Sequence, residues 1–116
     1  AWANLTCTFA GIWEVQPQWL EEHMGVAQIL DVRETGEFDG PLGRIKGAKL
    51  IPLGDLAERA EELNKERPII TVCRAGGRSA QATVILRRAG FDEIANLAGG
   101  MLLWRAQHYP VEGGRD

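Results

Sequence analysis

The chain is poor in the residues that build metal sites and disulfide frameworks: its 116 residues include two cysteines, Cys7 and Cys73, and two histidines. A single cysteine pair forms no disulfide framework, and such sparing use is that of a reducing compartment, so a cytoplasmic location is expected. No metal-ligand spacing joins these cysteines and histidines, so neither a zinc site nor another cofactor is expected. Long apolar runs are missing as well. Nothing approaches the length of a transmembrane helix, so no membrane association is expected, and no charged segment followed by an apolar one precedes Asn4, so no signal peptide is visible. Positive charge is in short supply: a net charge of −3 and a pI near 5.4 argue against a nucleic-acid-binding surface. Repeats and low-complexity segments are absent. What remains is a 45% hydrophobic composition, enough for one core and too little chain for a second. Residues 1–10 are expected to form a tail or linker and residues 11–116 a single domain.

Short apolar runs alternate with helical patterns, the signature of a parallel sheet covered by helices on both faces. Ile12–Val15 is the first expected strand, and Pro17 suits the start of a helix that carries Leu20 and Met24 and stops at Gly25. Gln28–Val32 is almost continuously apolar, as a central parallel strand should be. Asp31 is the odd residue there; it is expected to accept hydrogen bonds from loop amides at the carboxyl edge of the sheet, the edge where open α/β sheets bind ligands. Arg33, Glu34 and Glu37 are expected to form a charged, solvated rim. Lys49–Ile51 gives a brief strand, followed by a helix capped by Asp55 with Glu58 and buried through Leu56, Ala60 and Leu63. Ile94–Leu97 is the last strand, and Met101 and Trp104 lie on a helix that Pro110 ends.

The most informative stretch follows the apolar strand Ile69–Val72: Cys73-Arg74-Ala75-Gly76-Gly77-Arg78-Ser79. Adjacent glycines permit positive φ and let backbone N–H groups turn inward, and a helix beginning near Arg78 aims its positive dipole end at the same point. A cysteine held there is expected to be a low-pKa nucleophile rather than an inert buried thiol before an ordinary glycine-rich turn. Four residues separate Cys73 from Arg78. Cysteine phosphatases use a loop one residue longer, so this tighter cradle suits a sulfane sulfur better than a phosphoryl group. Arg74 and Arg78 are expected to orient an anionic donor through their planar guanidinium forks, Arg78 being the better placed.

The loop resembles that of the rhodanese (thiosulfate sulfurtransferase) family. The resemblance extends to Asp31-Val32-Arg33-Glu34 with Glu37-Phe38, to Gly43-Arg44-Ile45-Lys46-Gly47-Ala48, to Ile51-Pro52-Leu53, and to Leu97-Ala98-Gly99-Gly100 with Trp104 and Pro110-Val111. Arg44 and Lys46 stand where the family usually carries His and Pro, and Pro41-Leu42-Gly43 looks like an extension of the same rim loop. The resemblance implies a three-layer α/β fold with a central parallel sheet. It also implies a sulfurtransferase that moves a sulfane sulfur from thiosulfate or glutathione persulfide to cyanide, sulfite or a thiol through a Cys73 persulfide. On this reading Ala75, Gly76, Gly77 and Ser79 join the two arginines in binding substrate, with Asp31 and Arg33 in support. Ala3-Asn4-Leu5-Thr6-Cys7 resembles the segment closing the metallo-β-lactamase-like domain of persulfide dioxygenase–rhodanese fusions, which implies either such a domain in the same chain or a trimmed single-domain protein. Three other readings stay open: a phosphatase or arsenate-reductase-like enzyme, a catalytically idle recognition module, and a redox-sensing thiol.

Overall fold

The computed structural model describes residues 6–7 and 11–115. The side chain of Cys7 and the Ala3–Leu5 part of the fusion-like segment lie outside the described residues. The strands are β1 (Thr6–Cys7), β2 (Trp13–Val15), β3 (Gln28–Asp31), β4 (Lys49–Leu50), β5 (Ile69–Val72) and β6 (Ile94–Leu97). The helices are α1 (Pro17–Glu22), α2 (Thr35–Phe38), α3 (Leu56–Arg59), α4 (Gly77–Arg88) and α5 (Gly100–Ala106). The sheet order is β1-β2-β6-β5-β3-β4, parallel except for the antiparallel edge pair β1 and β2. The segment read from sequence as a tail thus supplies a short edge strand. Among the described residues no helix is long and apolar enough to cross a membrane.

Strand side chains alternate between the two faces, so each central strand feeds two cores. Ile29, Ile70, Val72, Ala95 and Leu97 pack with Trp19, Leu20, Met101 and Trp104 on the face covered by α1 and α5. Leu30, Ile69 and Ile94 pack with Leu56, Leu63, Ala82 and Leu86 on the face covered by α3 and α4. Odd-numbered positions of β5 share this second face, and Cys73, the next odd position after Ile69 and Thr71, continues it and is 1% exposed. Alternation alone therefore carries the thiol beneath the start of α4.

Several local expectations need correction. α1 ends at Glu22 rather than Gly25, with the His23 Nδ1 2.6 Å from the Trp19 carbonyl oxygen and the two rings stacked. The proposed Asp55–Glu58 cap is absent. A 3₁₀ turn over Leu53–Asp55 leaves Asp55 at φ −102°, ψ −6°, outside the extended conformation of a capping residue, and a second 3₁₀ turn over Ala60–Glu62 ends the helix after one turn. Leu56, Ala60 and Leu63 are nonetheless buried, so the apolar pattern outlasts the break in regularity. α5 stops at Ala106, before Pro110, and His108 takes the left-handed conformation at φ 63°. A reciprocal cap does form elsewhere. The Glu34 side chain accepts from the Glu37 amide, and Glu37 Oε1 accepts from the Glu34 amide at 3.1 Å.

The expected solvated rim is the largest correction. Arg33 is fully buried, its guanidinium forked onto Asp31 with contacts of 2.8–3.1 Å and donating to the Glu37 and Gly43 carbonyls at 3.2 and 2.8 Å. A cation tolerates burial when every donor finds an acceptor, and this one ties the end of β3 to both α2 and the rim loop. Removing one member of such a pair strands the other. Arg33→Ala should lower the unfolding free energy by about 3–5 kcal/mol, measured as a shift of the urea midpoint. An unchanged midpoint would show that the pair does not hold this edge.

Candidate functional site

Asp31 and Val72 are register partners across β3 and β5, so Asp31 and Cys73 emerge at the same carboxyl edge of the sheet. Asp31 does accept a loop amide, that of Arg33 at 3.1 Å, but the rest of its carboxylate is held by the Arg33 guanidinium. Both carboxylate oxygens are thus engaged by Arg33 at the end of β3.

The loop after β5 wraps the sulfur. The Gly76 N–H donates to Cys73 Sγ at 3.1 Å and the Ser79 hydroxyl at 3.2 Å. Gly76 is the N-cap of α4 at φ 111°, whereas Gly77 is already helical, so one glycine rather than two supplies the left-handed turn. The reason is geometric: the first residue inside a right-handed helix must have negative φ. Burial pushes the Cys73 thiol up. The Ser79 hydroxyl and the Ser79, Gly76 and Ala75 backbone groups more than offset this and hold it below its ordinary value. The first of these donors is a side chain, Ser79, and not either arginine.

Arg78 turns away to Glu37, forming a two-pronged ion pair at 2.6 and 2.8 Å. The hydrogen bond from Arg78 outweighs burial and brings Glu37 down to about 2, with the Glu34 amide and the charges of Arg78 and Arg33 assisting. Arg74 is exposed, and among the described residues its guanidinium has no hydrogen-bond or ion-pair partner. Beside the loop lies a cleft of about 300 Å³ lined by Arg33, Glu37, Pro41, Leu42 and Arg74. Lys46 lines a different groove, with Met24, Gln28 and Arg67, toward the opposite ends of the strands.

The model of the rhodanese-like domain matches residues 16–107. The chain belongs to the rhodanese-like family. A crystal structure of a rhodanese-related protein from Thermoplasma volcanium superposes on this rhodanese-like domain with a TM-score of 0.78 at 30% identity, covering 84% of this chain and 94% of that one. A sulfurtransferase of Allochromatium vinosum is 31% identical over 72% of this chain and 76% of its own length. The Bacillus subtilis protein YqhL is 44% identical over 67% of this chain, but the chain spans only 60% of YqhL's length, so this likeness is one of domain and not of whole protein.

Sequence reasoning missed the residues that brace the rhodanese-like loop from outside. Asn96 in β6 donates through Nδ2 to the Gly76 carbonyl at 3.0 Å, and the Thr71 hydroxyl in β5 donates to the Ser79 carbonyl at 2.9 Å. At the first turn of α5 the Met101 and Leu102 amides donate to the Cys73 and Arg74 carbonyls at 2.9 and 3.0 Å. Gly100 makes that approach possible, since a Cβ there would sit 2.5 Å from the Cys73 carbonyl oxygen. One signal was available: Thr71 and Asn96 are polar residues inside strands that are otherwise apolar and fully buried. Ser79→Ala should raise the Cys73 pKa, because it removes a donor that favours the thiolate. The pH profile of alkylation by a neutral reagent should move to higher pH; no movement would leave the backbone amides as sufficient.

Proposed function

We propose that the domain formed by residues 11–116 is a sulfurtransferase working through a persulfide on Cys73. The observation that carries this reading is a buried sulfur that receives both the Gly76 amide and the Ser79 hydroxyl. The Cys73 thiolate attacks the outer sulfur of thiosulfate or of an organic persulfide. The S–S bond of the donor breaks, its electron pair leaves with sulfite or thiolate, and the outer sulfur stays on Cys73. A second nucleophile such as cyanide, sulfite or a thiol then takes that sulfur and returns the Cys73 thiolate, so electrons balance across the two displacements.

Each part of the loop has a role in this scheme. Ala75, Gly76 and Ser79 stabilise negative charge on the thiolate and then on the persulfide, as preorganised donors do for a developing anion. Gly77 begins the 12-residue helix α4, whose dipole adds to the same effect. Arg74 meets the anionic part of the donor, while Arg78, paired with Glu37, fastens the start of α4 to α2. Asp31 and Arg33 hold the edge on which the loop stands.

Intact mass after incubation with thiosulfate or glutathione persulfide should show one added sulfur atom on the wild-type protein and none on Cys73→Ser. Thiocyanate formation from cyanide should vanish in the same variant. A serine variant that still forms thiocyanate would overturn the assignment. So would wild-type hydrolysis of an aryl phosphate that outpaces sulfur transfer and depends on Cys73.

A further inference from the structure

Asn96 is the polar residue of β6, 1% exposed in a strand that is otherwise apolar. Burying a side-chain amide in a central strand costs stability unless its groups are paired, so its partners are informative. Its Nδ2 donates to the Gly76 carbonyl at 3.0 Å and to Glu14 Oε2 at 3.4 Å, while its Oδ1 lies 3.4 Å from the Thr71 hydroxyl. The opposite amide orientation would set Oδ1 against two oxygens. Glu14 in β2 is the register partner of Asn96 across the sheet, and its carboxylate fixes which way the amide faces.

Gly76 has no side chain to anchor it, and glycine moves freely among backbone conformations. Its φ of 111° and ψ of −11° are held by what its two backbone groups bond. The N–H points inward to Cys73 Sγ at 3.1 Å; the carbonyl points away, to the Ala80 amide at 3.1 Å and to Asn96. The Ala80 bond belongs to α4 and moves with the helix. Of the two, only the Asn96 bond ties Gly76 to the sheet from which Cys73 extends, so it keeps the donor in register with the sulfur.

We propose that Asn96, itself oriented by Glu14, is a positioning residue for Cys73: it holds Gly76 so that the Gly76 N–H stays aimed at the sulfur. The strand β2, which carries no residue of the loop, thereby contributes to the reactivity of the thiol. Neither residue touches the reacting sulfur; both act through the Gly76 backbone. For sulfur transfer this rests on the persulfide reading of Cys73, whereas for the acidity of the thiol it stands on the hydrogen bonds alone.

The test measures the pH profile of Cys73 alkylation by iodoacetamide, a neutral reagent, beside the urea midpoint and the rate of sulfur loading from thiosulfate. Asn96→Leu keeps the size of the side chain and changes no charge. It should move the alkylation profile up by about one pH unit, the roughly tenfold effect of one hydrogen bond, and slow sulfur loading. A merely structural role would lower the urea midpoint and leave the profile where it is, which would overturn the proposal. Glu14→Gln and Glu14→Ala serve as a second pair, decisive even if Asn96→Leu does not fold. Both remove the carboxylate charge, and loss of that charge alone would shift the thiol downward equally in each. Only glutamine keeps an oxygen for the Asn96 amide, so the profile of Glu14→Ala should lie above that of Glu14→Gln by about half a unit, the low end for one hydrogen bond. Coincident profiles for the two variants would overturn the proposal. If wild-type Cys73 takes no sulfur from thiosulfate or glutathione persulfide, the sulfurtransferase reading fails, and the alkylation profiles still decide the roles of Asn96 and Glu14.

Discussion

A buried sulfur that accepts hydrogen bonds needs inward-facing donors, and the loop that supplies them carries carbonyls that must find partners of their own. Much of the domain answers that second requirement. The Cys73 and Arg74 carbonyls are met by the first amides of α5, the Gly76 carbonyl by Asn96 and the Ala80 amide, and the Ser79 carbonyl by Thr71. The cradle around the sulfur is therefore not a property of seven consecutive residues. It is the inner surface of a loop whose outer surface is fastened to β5, β6, α4 and α5.

Charge around the loop is arranged in the same economical way. Asp31 and Arg33 neutralise each other inside the protein, where an unpaired ion would be costly. Glu37 and Arg78 do so at the half-buried rim, where their side chains are 31% and 35% exposed and water weakens the attraction. Arg74, exposed beside the cleft, has no ionic partner among the described residues. The thiol is favoured as thiolate chiefly by short-range hydrogen bonds from Ser79 and the loop backbone, which solvent and salt disturb less than they disturb exposed charges.

Features set by neighbours in sequence were legible and those set by distant partners were not. The apolar runs marked Ile69–Val72 and Ile94–Leu97 correctly because central parallel strands are buried on both faces. The Cys73 loop was legible for a similar reason, since strand end, left-handed glycine and helix start follow one another directly. Arg33 looked like a surface residue because nothing in its vicinity of sequence announces that the Gly43 carbonyl and the Asp31 carboxylate will both enclose it. The Glu37–Arg78 pair joins residues 41 apart, and the Asn96–Gly76 contact residues 20 apart. The helix expected from Asp55 onward breaks into 3₁₀ and α turns even though its buried positions were read correctly. Burial selects which residues face inward without dictating one regular hydrogen-bonding pattern.

The rim loop that walls the cleft is itself held from the far end of the chain. Arg44 and Glu112 exchange backbone hydrogen bonds at 3.0 and 2.8 Å, and the Arg105 guanidinium reaches the Pro41 and Leu42 carbonyls. The Arg115 amide also donates to the Pro41 carbonyl at 2.7 Å. The Trp104 indole N–H fixes the start of this return by donating to the Pro110 carbonyl at 2.9 Å. The loop around the sulfur and the wall of the cleft are thus held by different parts of the polypeptide. Changes in the segment after α5 can remodel the cleft while β5, α4 and the sulfur between them keep their geometry, so the shape of the rim can vary without disturbing the loop.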